Sequence, residues 1–186
     1  MQIRIVEEMD LAIPYGTEFS ETLDIAIRKT LAVCFPHHKD EFSKAHYLND
    51  NKPVFSVIIE DGGSAIAYVG VIDRTIKLGG RRYRVAGVQN VCVLPRYRHR
   101  RLSNGVLKAT MEEAHTRRFD FGLLFTQQKI KKVYARNGWL QINKSKFIRT
   151  ENGVNIEMPS ESIKMYYPLA VKDFPTGDVD LQGNKW

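Results

Sequence analysis

Three consecutive strand-like segments in the middle of the chain constrain its fold more than any other feature. They cover residues 54–59, 65–77 and 82–94. Asp61-Gly62-Gly63 and Gly79-Gly80 separate them, and glycine pairs suit the positive φ angles of tight hairpin turns. The segments therefore predict an antiparallel meander.

Apolar residues have a helix-like spacing on both sides of this meander. Apolar residues recur at three- and four-residue steps over 19–34 and 102–118, as they do along an amphipathic helix. The apolar run 121–125 is typical of a strand covered on both faces. A shorter helix is predicted over 130–137, where Gly138 suits the left-handed residue that follows a helix.

The remaining segments complete the predicted order of elements. We expect a strand at 3–6, late strands at 139–148 and 164–171, and a loop-like tail over 173–186. Residues 37–51 are polar and irregular, which leaves a short helix and a loop as alternatives. This order predicts an α+β fold, a mixed central sheet with an antiparallel meander and one β-α-β crossover. A chain of 186 residues has the size of one domain, so we expect a single domain over 1–186.

Composition excludes several classes of protein. Hydrophobic residues make up 43% of the chain and charged residues 26%, which argues against disorder, a collagen-like repeat and a coiled coil. There is no run of 18 apolar residues, so no membrane span is expected. Acidic Glu7 and Glu8 stand where a signal peptide would be apolar. Cys34 and Cys92 lie in apolar runs, which favours reduced, buried thiols and a cytoplasmic protein.

The charge of the chain predicts an anionic partner. Lys and Arg number 28 against 21 Asp and Glu, for a formal net charge of +7. Nucleic acid, a phosphorylated cofactor, an acidic protein and a membrane surface would all fit this charge. The location of the positive residues narrows the choice.

The most informative segment, residues 91–107, is a strand end, a basic loop and the start of a helix. The first amides of a helix have no internal partner, and together with the helix dipole they favour an anion. Four arginines crowd this point, and guanidinium groups match phosphate oxygens in a bidentate fork. They are Arg96, Arg98, Arg100 and Arg101. The segment predicts a pyrophosphate site, with a solvated basic turn as the alternative.

Two motifs in this half of the chain resemble a known family. Arg98-His99-Arg100-Arg101-Leu102-Ser103 resembles the acetyl-coenzyme A signature of the GNAT N-acyltransferases, Gln/Arg-x-x-Gly-x-Gly/Ala, with Arg101 and Ser103 departing from the small residues of that pattern. Tyr134-Ala135-Arg136-Asn137-Gly138-Trp139 resembles the Tyr-x-x-x-Gly-Phe element of the same family. Gln127 stands where the family usually has Asn.

The resemblance implies the GNAT acyl-CoA N-acyltransferase fold over most of the chain and acetyl-CoA or coenzyme A as co-substrate. The hairpin at 71–80, the tail at 174–180 and Trp186 are similar to the branch that holds nodulation-factor N-acyltransferases and aminoglycoside 2′-N-acetyltransferases. The implied coenzyme-binding residues are Val91, Cys92, Val93, Arg98, His99, Arg100, Arg101, Leu102, Ser103, Asn104 and Gln127.

The resemblance also implies a reaction, the attack of a primary amine on the thioester of acyl-CoA in a ternary complex. Tyr134 would be the general acid for the departing thiolate, since a phenol and a thiol have similar pKa values. Gln89 stands where many relatives have a glutamate base. Three explanations stay open: a water relay; the carboxylate of Trp186, Asp178 or Asp180 acting instead; or a protein that is inactive or uses another substrate.

The expected acceptor is a small-molecule amine, and an acyl-carrier protein and a second copy of the chain are open as partners. The five histidines lack the spacing of metal ligands, so no metal is predicted. Two other functions compete with the enzyme. One is a basic nucleic-acid-binding module, which leaves Tyr134 without a role, and the other is a GNAT fold that binds coenzyme A without catalysis.

Overall fold

The order of helices and strands follows the predicted one through the middle of the chain. The structure, a computed structural model, describes residues 1–8, 11 and 18–186. The strands are β1 (Gln2–Glu7), β2 (Phe55–Asp61), β3 (Ser64–Leu78), β4 (Arg81–Val93), β5 (Phe121–Thr126), β6 (Leu140–Gln141), β7 (Phe147–Glu151), β8 (Val154–Glu157), β9 (Ile163–Pro168) and β10 (Val179–Asp180). The helices are α1 (Glu18–Cys34), α2 (Lys39–Phe42), α3 (Leu102–Thr116) and α4 (Lys131–Ala135), with 3-10 turns at Pro36–His38 and Pro95–Tyr97.

The chain divides into two compact units, and β3 and β4 contribute to both. The first unit comprises Met1–Ile72 and Gln89–Thr110, and the second comprises Asp73–Val88 and Met111–Trp186. This division does not test the prediction of a single domain over 1–186, which stays a prediction.

In the first unit, an antiparallel sheet is covered by one face of α1. Strand β2 pairs with both β1 and β3, and its register with β3 shifts between Ile59 and Glu60. The inner side of α1 buries Ile27 and Leu31 in a cluster with Phe42, Ile58 and Tyr68. This face has the three- and four-residue spacing that predicted the helix.

The second unit holds the β-α-β crossover and the late strands. Strand β4 pairs in parallel with β5 over Val85–Gly87 and Phe121–Leu123. Strand β9 pairs antiparallel with β5 and with β6. Strand β10 pairs antiparallel with β3 and parallel with β7, which forms a hairpin with β8. The predicted mixed sheet, with its meander and crossover, is confirmed.

The late part of the chain differs from the prediction in three places. The single strand predicted over 139–148 is wrong, because a segment with the polar residues 143–146 separates β6 from β7. Strand β8 was not predicted, and β10 lies in the tail expected to be loop. Val179 of β10 is fully buried between its partners Leu78 and Phe147. A two-residue strand is made by such neighbours and not by its own sequence pattern.

Candidate functional site

The loop before helix α3 leaves a row of backbone amides without protein acceptors. The Arg98 amide donates to the Pro95 carbonyl at 3.2 Å, and the Asn104 amide donates to the Arg101 carbonyl at 3.0 Å. Between them, no acceptor in the described part of the chain contacts the amides of residues 99–103. Such amides at the positive end of a helix can hold an anion.

Two residues of this loop have a backbone conformation that glycine adopts most easily. His99 has φ +67° and Arg101 has φ +58°, both in the left-handed region. Arg101 is the residue that stands in a glycine position of the family signature. The chain therefore departs from that signature in the side chain while its backbone keeps a glycine-like turn, at a cost on the order of 1 kcal/mol.

The arginines of the loop are exposed and partly ordered by one aromatic ring. The guanidinium carbons of Arg96 and Arg100 lie 5.1 and 5.2 Å from the centre of the Tyr97 ring. The Tyr97 hydroxyl donates to Asp61 at 3.2 Å, which fixes the ring. Arg98 donates from Nε to the Val93 carbonyl at 3.2 Å. The loop thus presents positive charge beside its unpaired amides.

The backbone of strand β4 is irregular at Asn90, shortly before this loop. Asn90 has φ +53°, a left-handed angle inside a strand, as occurs at β-bulges. Its side-chain nitrogen is buried and has no hydrogen-bond partner among the described residues. The predicted coenzyme-binding residues Val91 and Val93 are half-buried, and Cys92 between them is buried.

The Gln89 side chain is held by a hydrogen bond to a backbone carbonyl. Its side chain is buried, and Nε2 donates to the Asn51 carbonyl at 2.6 Å. Its Cγ also lies 3.4 Å from where a Cβ on Gly70 would stand, and the Tyr68 hydroxyl lies 2.8 Å from that point. Ser56 donates to that hydroxyl at 3.0 Å, and burial raises the pKa of Tyr68 well above its usual value. Gln89 therefore belongs to a buried polar cluster.

The two cysteines are free and lie close to each other in the first unit. Cys92 is buried, but Cys34, at the end of α1, is only half-buried, so the prediction that both are buried is wrong for Cys34. A hydrogen bond with Cys92 lowers the pKa of Cys34 and Arg98 lowers it further, whereas burial raises it. Cys34 ends up half-exposed because it is the last residue of its helix.

The second unit contains the other predicted site residues. Tyr134 is buried, and its ring centre lies 6.2 Å from that of Trp139 in an edge-on arrangement. Gln127 is exposed, and its carbonyl accepts the amides of Ile130 and Lys131 at 3.1 and 3.2 Å. Gln127 thus begins the turn that leads into α4.

The C-terminal residues are held by specific contacts. The ring of Trp186 lies 5.1 Å from that of Phe125, and the Arg74 guanidinium lies 5.2 Å from the Trp186 ring. Asp178 accepts the Lys146 amide at 3.1 Å, and Asp180 accepts the Gln182 amide at 2.9 Å. Asp178 therefore ties the tail to residue 146, and Asp180 stabilises a local turn.

The predicted site residues therefore fall into two sets, one in each unit. Gln89, residues 91–93 and residues 98–104 follow one another through the first unit, and Gln127, Tyr134 and Trp186 lie in the second. Sequence reasoning assigned no side-chain role to Asn90 or Asn51. Asn tolerates positive φ better than other residues with a side chain, so an asparagine inside the apolar β4 segment was a usable signal.

A family model for an acetyltransferase (GNAT) domain matches residues 21–142, more than half of the chain. The chain belongs to the GNAT acetyltransferase family. The match includes the β3–β4 hairpin, the loop before α3 and the Tyr134 element, and the predicted GNAT family is confirmed. No curated protein matches the chain.

Solved structures share the GNAT fold at low sequence identity. YhbS from Escherichia coli, in complex with CoA, is 15% identical over 97% of this chain and 89% of its own, with a TM-score of 0.59. Escherichia coli ElaA is 10% identical over 89% of this chain and 98% of its own, with a TM-score of 0.57. A GCN5-related N-acetyltransferase from Kribbella flavida is 18% identical over 78% of this chain, with a TM-score of 0.54. The chain spans about a third, 34%, of the length of that last protein.

Two further properties of the described residues bear on function. No helix in 1–8, 11 and 18–186 is long and apolar enough to cross a membrane. The same residues contain no group of three or more His, Cys, Asp or Glu side chains that could hold a metal ion.

Proposed function

We propose that the chain transfers an acetyl or longer acyl group from acyl-CoA to a primary amine in a ternary complex. The amides of residues 99–103 carry this proposal, because they lie at the start of α3 with no protein acceptor in the described chain. A diphosphate could accept from them without displacing any protein hydrogen bond. The exposed side chains of Arg98, Arg100 and Arg101 add charge-assisted hydrogen bonds.

The proposed reaction exchanges a C–S bond for a C–N bond. The amine nitrogen attacks the thioester carbon, the sulfur leaves as a thiolate, and the nitrogen loses one proton. Tyr134 is the proposed proton donor to the thiolate, a role supported by its position in the family-like Tyr134–Trp139 element. Residues 91–93 are proposed to bind the coenzyme through their backbone groups, as the edge of a β-strand binds an extended partner. Orientation of the two reactants can supply several kcal/mol of the lowered barrier.

The proton that leaves the amine needs an acceptor other than Gln89. That side chain donates to Asn51, and an amide is not a base at neutral pH. Asp178 and Asp180 are both held by backbone amides. We therefore favour a water relay or the terminal carboxylate of Trp186 as the acceptor in the proposed reaction.

A carboxylate placed at the amides tests the diphosphate site directly. Ser103→Asp should support the helix start, since an acidic residue in the first turn is favourable, while it repels and competes with the diphosphate. We expect CoA to bind at least tenfold more weakly to this variant in calorimetry, while Ser103→Ala binds normally. Equal CoA affinity of the two variants would contradict the proposed site, and stabilisation by duplex DNA in place of CoA would favour the nucleic-acid module.

Removal of the Tyr134 hydroxyl tests the proposed acid. Tyr134→Phe should lower kcat about tenfold or more and leave CoA affinity unchanged, because proton transfer by a positioned side chain typically contributes 10²–10⁴-fold. Release of the free thiol during turnover of an amine panel provides the measurement. Unchanged turnover in Tyr134→Phe would remove Tyr134 from the chemistry.

A second function, binding of CoA without catalysis, is favoured by one observation. The side chain in the position of the family base is an amide engaged by the Asn51 carbonyl at 2.6 Å. Normal CoA affinity combined with no thiol release for any amine would select this alternative. Thiol release that depends on the added amine would exclude it.

A further inference from the structure

A cavity of about 240 Å³ lies among the late strands of the second unit. A buried apolar wall comes from Ile142, Phe147 and Met158, the other lining residues are mostly polar or charged, and Lys146 and Glu157 stand at the exposed rim. The volume is smaller than the roughly 300–1,000 Å³ of pockets for drug-sized ligands. The cavity therefore suits a small molecule with an apolar body.

One charged side chain of the lining is buried. Lys164 of β9 is 9% exposed, although lysine is almost never buried unless it is paired. Its ammonium donates to the Pro159 carbonyl at 2.6 Å, and no carboxylate within the described residues forms an ion pair with it. An ammonium has three N–H donors, so two of those of Lys164 have no acceptor among the described residues.

The charges around Lys164 are of both signs, and Arg149 nearby forms an ion pair with Glu151 at 2.7 Å. The rim pair Lys146 and Glu157 lie 3.6 Å apart and largely neutralise each other. Burial lowers the pKa of Lys164, against the raising effect of Glu161 and Glu157. Burial also lowers the pKa of Lys185, and repulsion from Arg149 and Lys164 lowers it further, so the cations of this region are close enough to repel one another.

We propose that this cavity binds a small carboxylate with a short apolar body, whose carboxylate accepts hydrogen bonds from Lys164. The apolar body would contact Ile142, Phe147 and Met158, and the half-buried Ser162 adds a hydroxyl at the same wall. A carboxylate would accept hydrogen bonds from donors of the buried ammonium that have no acceptor among the described residues. A neutral molecule of the same shape offers only an uncharged acceptor, and a cation would be repelled by Lys164.

Three ring compounds of one shape test the predicted charge preference on the full chain. Benzoate should bind saturably and raise Tm. Benzyl alcohol should bind at least tenfold more weakly, since hydrogen bonds to charged groups are about twice as strong as neutral ones. Benzylamine should not bind. Equal affinity for benzoate and benzyl alcohol, or any preference for benzylamine, would overturn the proposal.

Variants then assign the preference to one residue. Lys164→Met keeps the length and apolar stem of the side chain and should reduce benzoate affinity tenfold or more while leaving that for benzyl alcohol unchanged. The matched control is Lys172→Met, at an exposed lysine outside the cavity lining, which should change benzoate affinity less than twofold. Unchanged benzoate binding in Lys164→Met would overturn the proposal.

A phosphate-bearing compound separates two sources of negative charge. Tighter binding of phenyl phosphate than of benzoate would overturn the commitment to a carboxylate. The comparison of ligands on the natural chain decides the proposal even if Lys164→Met does not fold. No acyl donor is present in these measurements, so their outcome is separate from that of the acyl-transfer function proposed above.

Discussion

The two units of the molecule bury different kinds of side chain. In the first, His46 is 4% exposed and lies between two carboxylates, with Glu8 at 2.8 Å from its Nε2 and Asp24 at 3.0 Å from its Nδ1. Gln89 holds the Asn51 carbonyl in the same unit. Polar groups in these positions are stable only when each keeps its partner.

The second unit is held mainly by aromatic rings. Phe121 is fully buried, and its ring centre lies 5.8 Å from that of Tyr83 and 5.4 Å from that of Phe174. Phe125 contacts Phe147 and Trp186 at 5.9 and 5.1 Å. Contacts of this kind depend on shape and volume and not on the charge state. The comparison predicts that the contribution of the His46 cluster in the first unit depends on pH, and that the contribution of the aromatic cluster in the second unit depends on volume and not on pH.

The largest effect should come from a cavity in the aromatic cluster. Phe121→Ala removes a fully buried ring, and we expect it to lower the free energy of unfolding by about 3–5 kcal/mol. The loss should be nearly the same at pH 6 and pH 9 in urea denaturation, because no charged partner is removed. Val154→Ala, at a side chain that is 61% exposed, is the control and should change stability by less than about 0.5 kcal/mol.

His46 should give the first unit a stability that depends on pH. Hydrogen bonds and charge from Glu8 and Asp24 raise its pKa from 6.5 to about 9, against the opposing effect of burial. Because the pKa of His46 is higher in the folded state, His46 stabilises the fold fully below about pH 6.5. This contribution to the free energy of unfolding is lost as the pH rises through about 9. The shift corresponds to about 3 kcal/mol.

Replacement of His46 measures this contribution. His46→Gln should lose about 3 kcal/mol near pH 6 and much less near pH 9, as measured by urea denaturation across that range. Lys52 still lies 3.3 Å from Glu8, and Arg28 lies 2.7 Å from Asp24. These ion pairs remain in the variant and reduce its loss of stability. A pH-independent loss would show that His46 acts by packing alone.

A smaller effect is expected at Gly70, where two polar side chains approach the backbone. A Cβ there would lie 2.8 Å from the Tyr68 hydroxyl and 3.4 Å from Gln89 Cγ. Gly70→Ala should therefore cost about 1–3 kcal/mol by overpacking. Adding Tyr68→Phe removes the nearest atom and should recover part of the loss in a double-mutant cycle. Strictly additive effects would contradict the contact.

The smallest effect is expected at the loop before α3. Arg101 has φ +58°, so Arg101→Gly should raise stability or leave it unchanged, within about 1 kcal/mol, by relieving backbone strain. CoA affinity should fall less than tenfold, because the amides of 99–103 remain and only one exposed guanidinium is lost. Thermal unfolding and calorimetry give both values. A loss of stability above about 2 kcal/mol would mean that the Arg101 side chain holds the loop.

Long, strongly patterned segments were predicted well. The three strands of the meander and the start of α3 at Leu102 were predicted within one or two residues, because burial of one face imposes a repeating pattern on the chain. Helix α4 is shorter than its predicted range 130–137, and β6, β8 and β10 are too short to carry a pattern of their own.

The candidate site shows the same division. The sequence predicted the basic loop and the family motif, since these depend on the order of residue types. It could not show that the Gln89 amide donates to Asn51, or that Lys164 lines a cavity. In each case the partner is distant along the chain or belongs to a different element.

The sequence by itself determined the mixed sheet, the crossover and the concentration of positive charge in the loop before α3, because periodicity and local charge are properties of neighbouring residues. Only the tertiary structure decided which polar groups are satisfied: the amides of 99–103 lack acceptors, whereas Gln89, Asp178 and Asp180 are engaged. Hydrogen bonds and burial depend on which distant residues meet, and one-dimensional patterns do not encode those meetings.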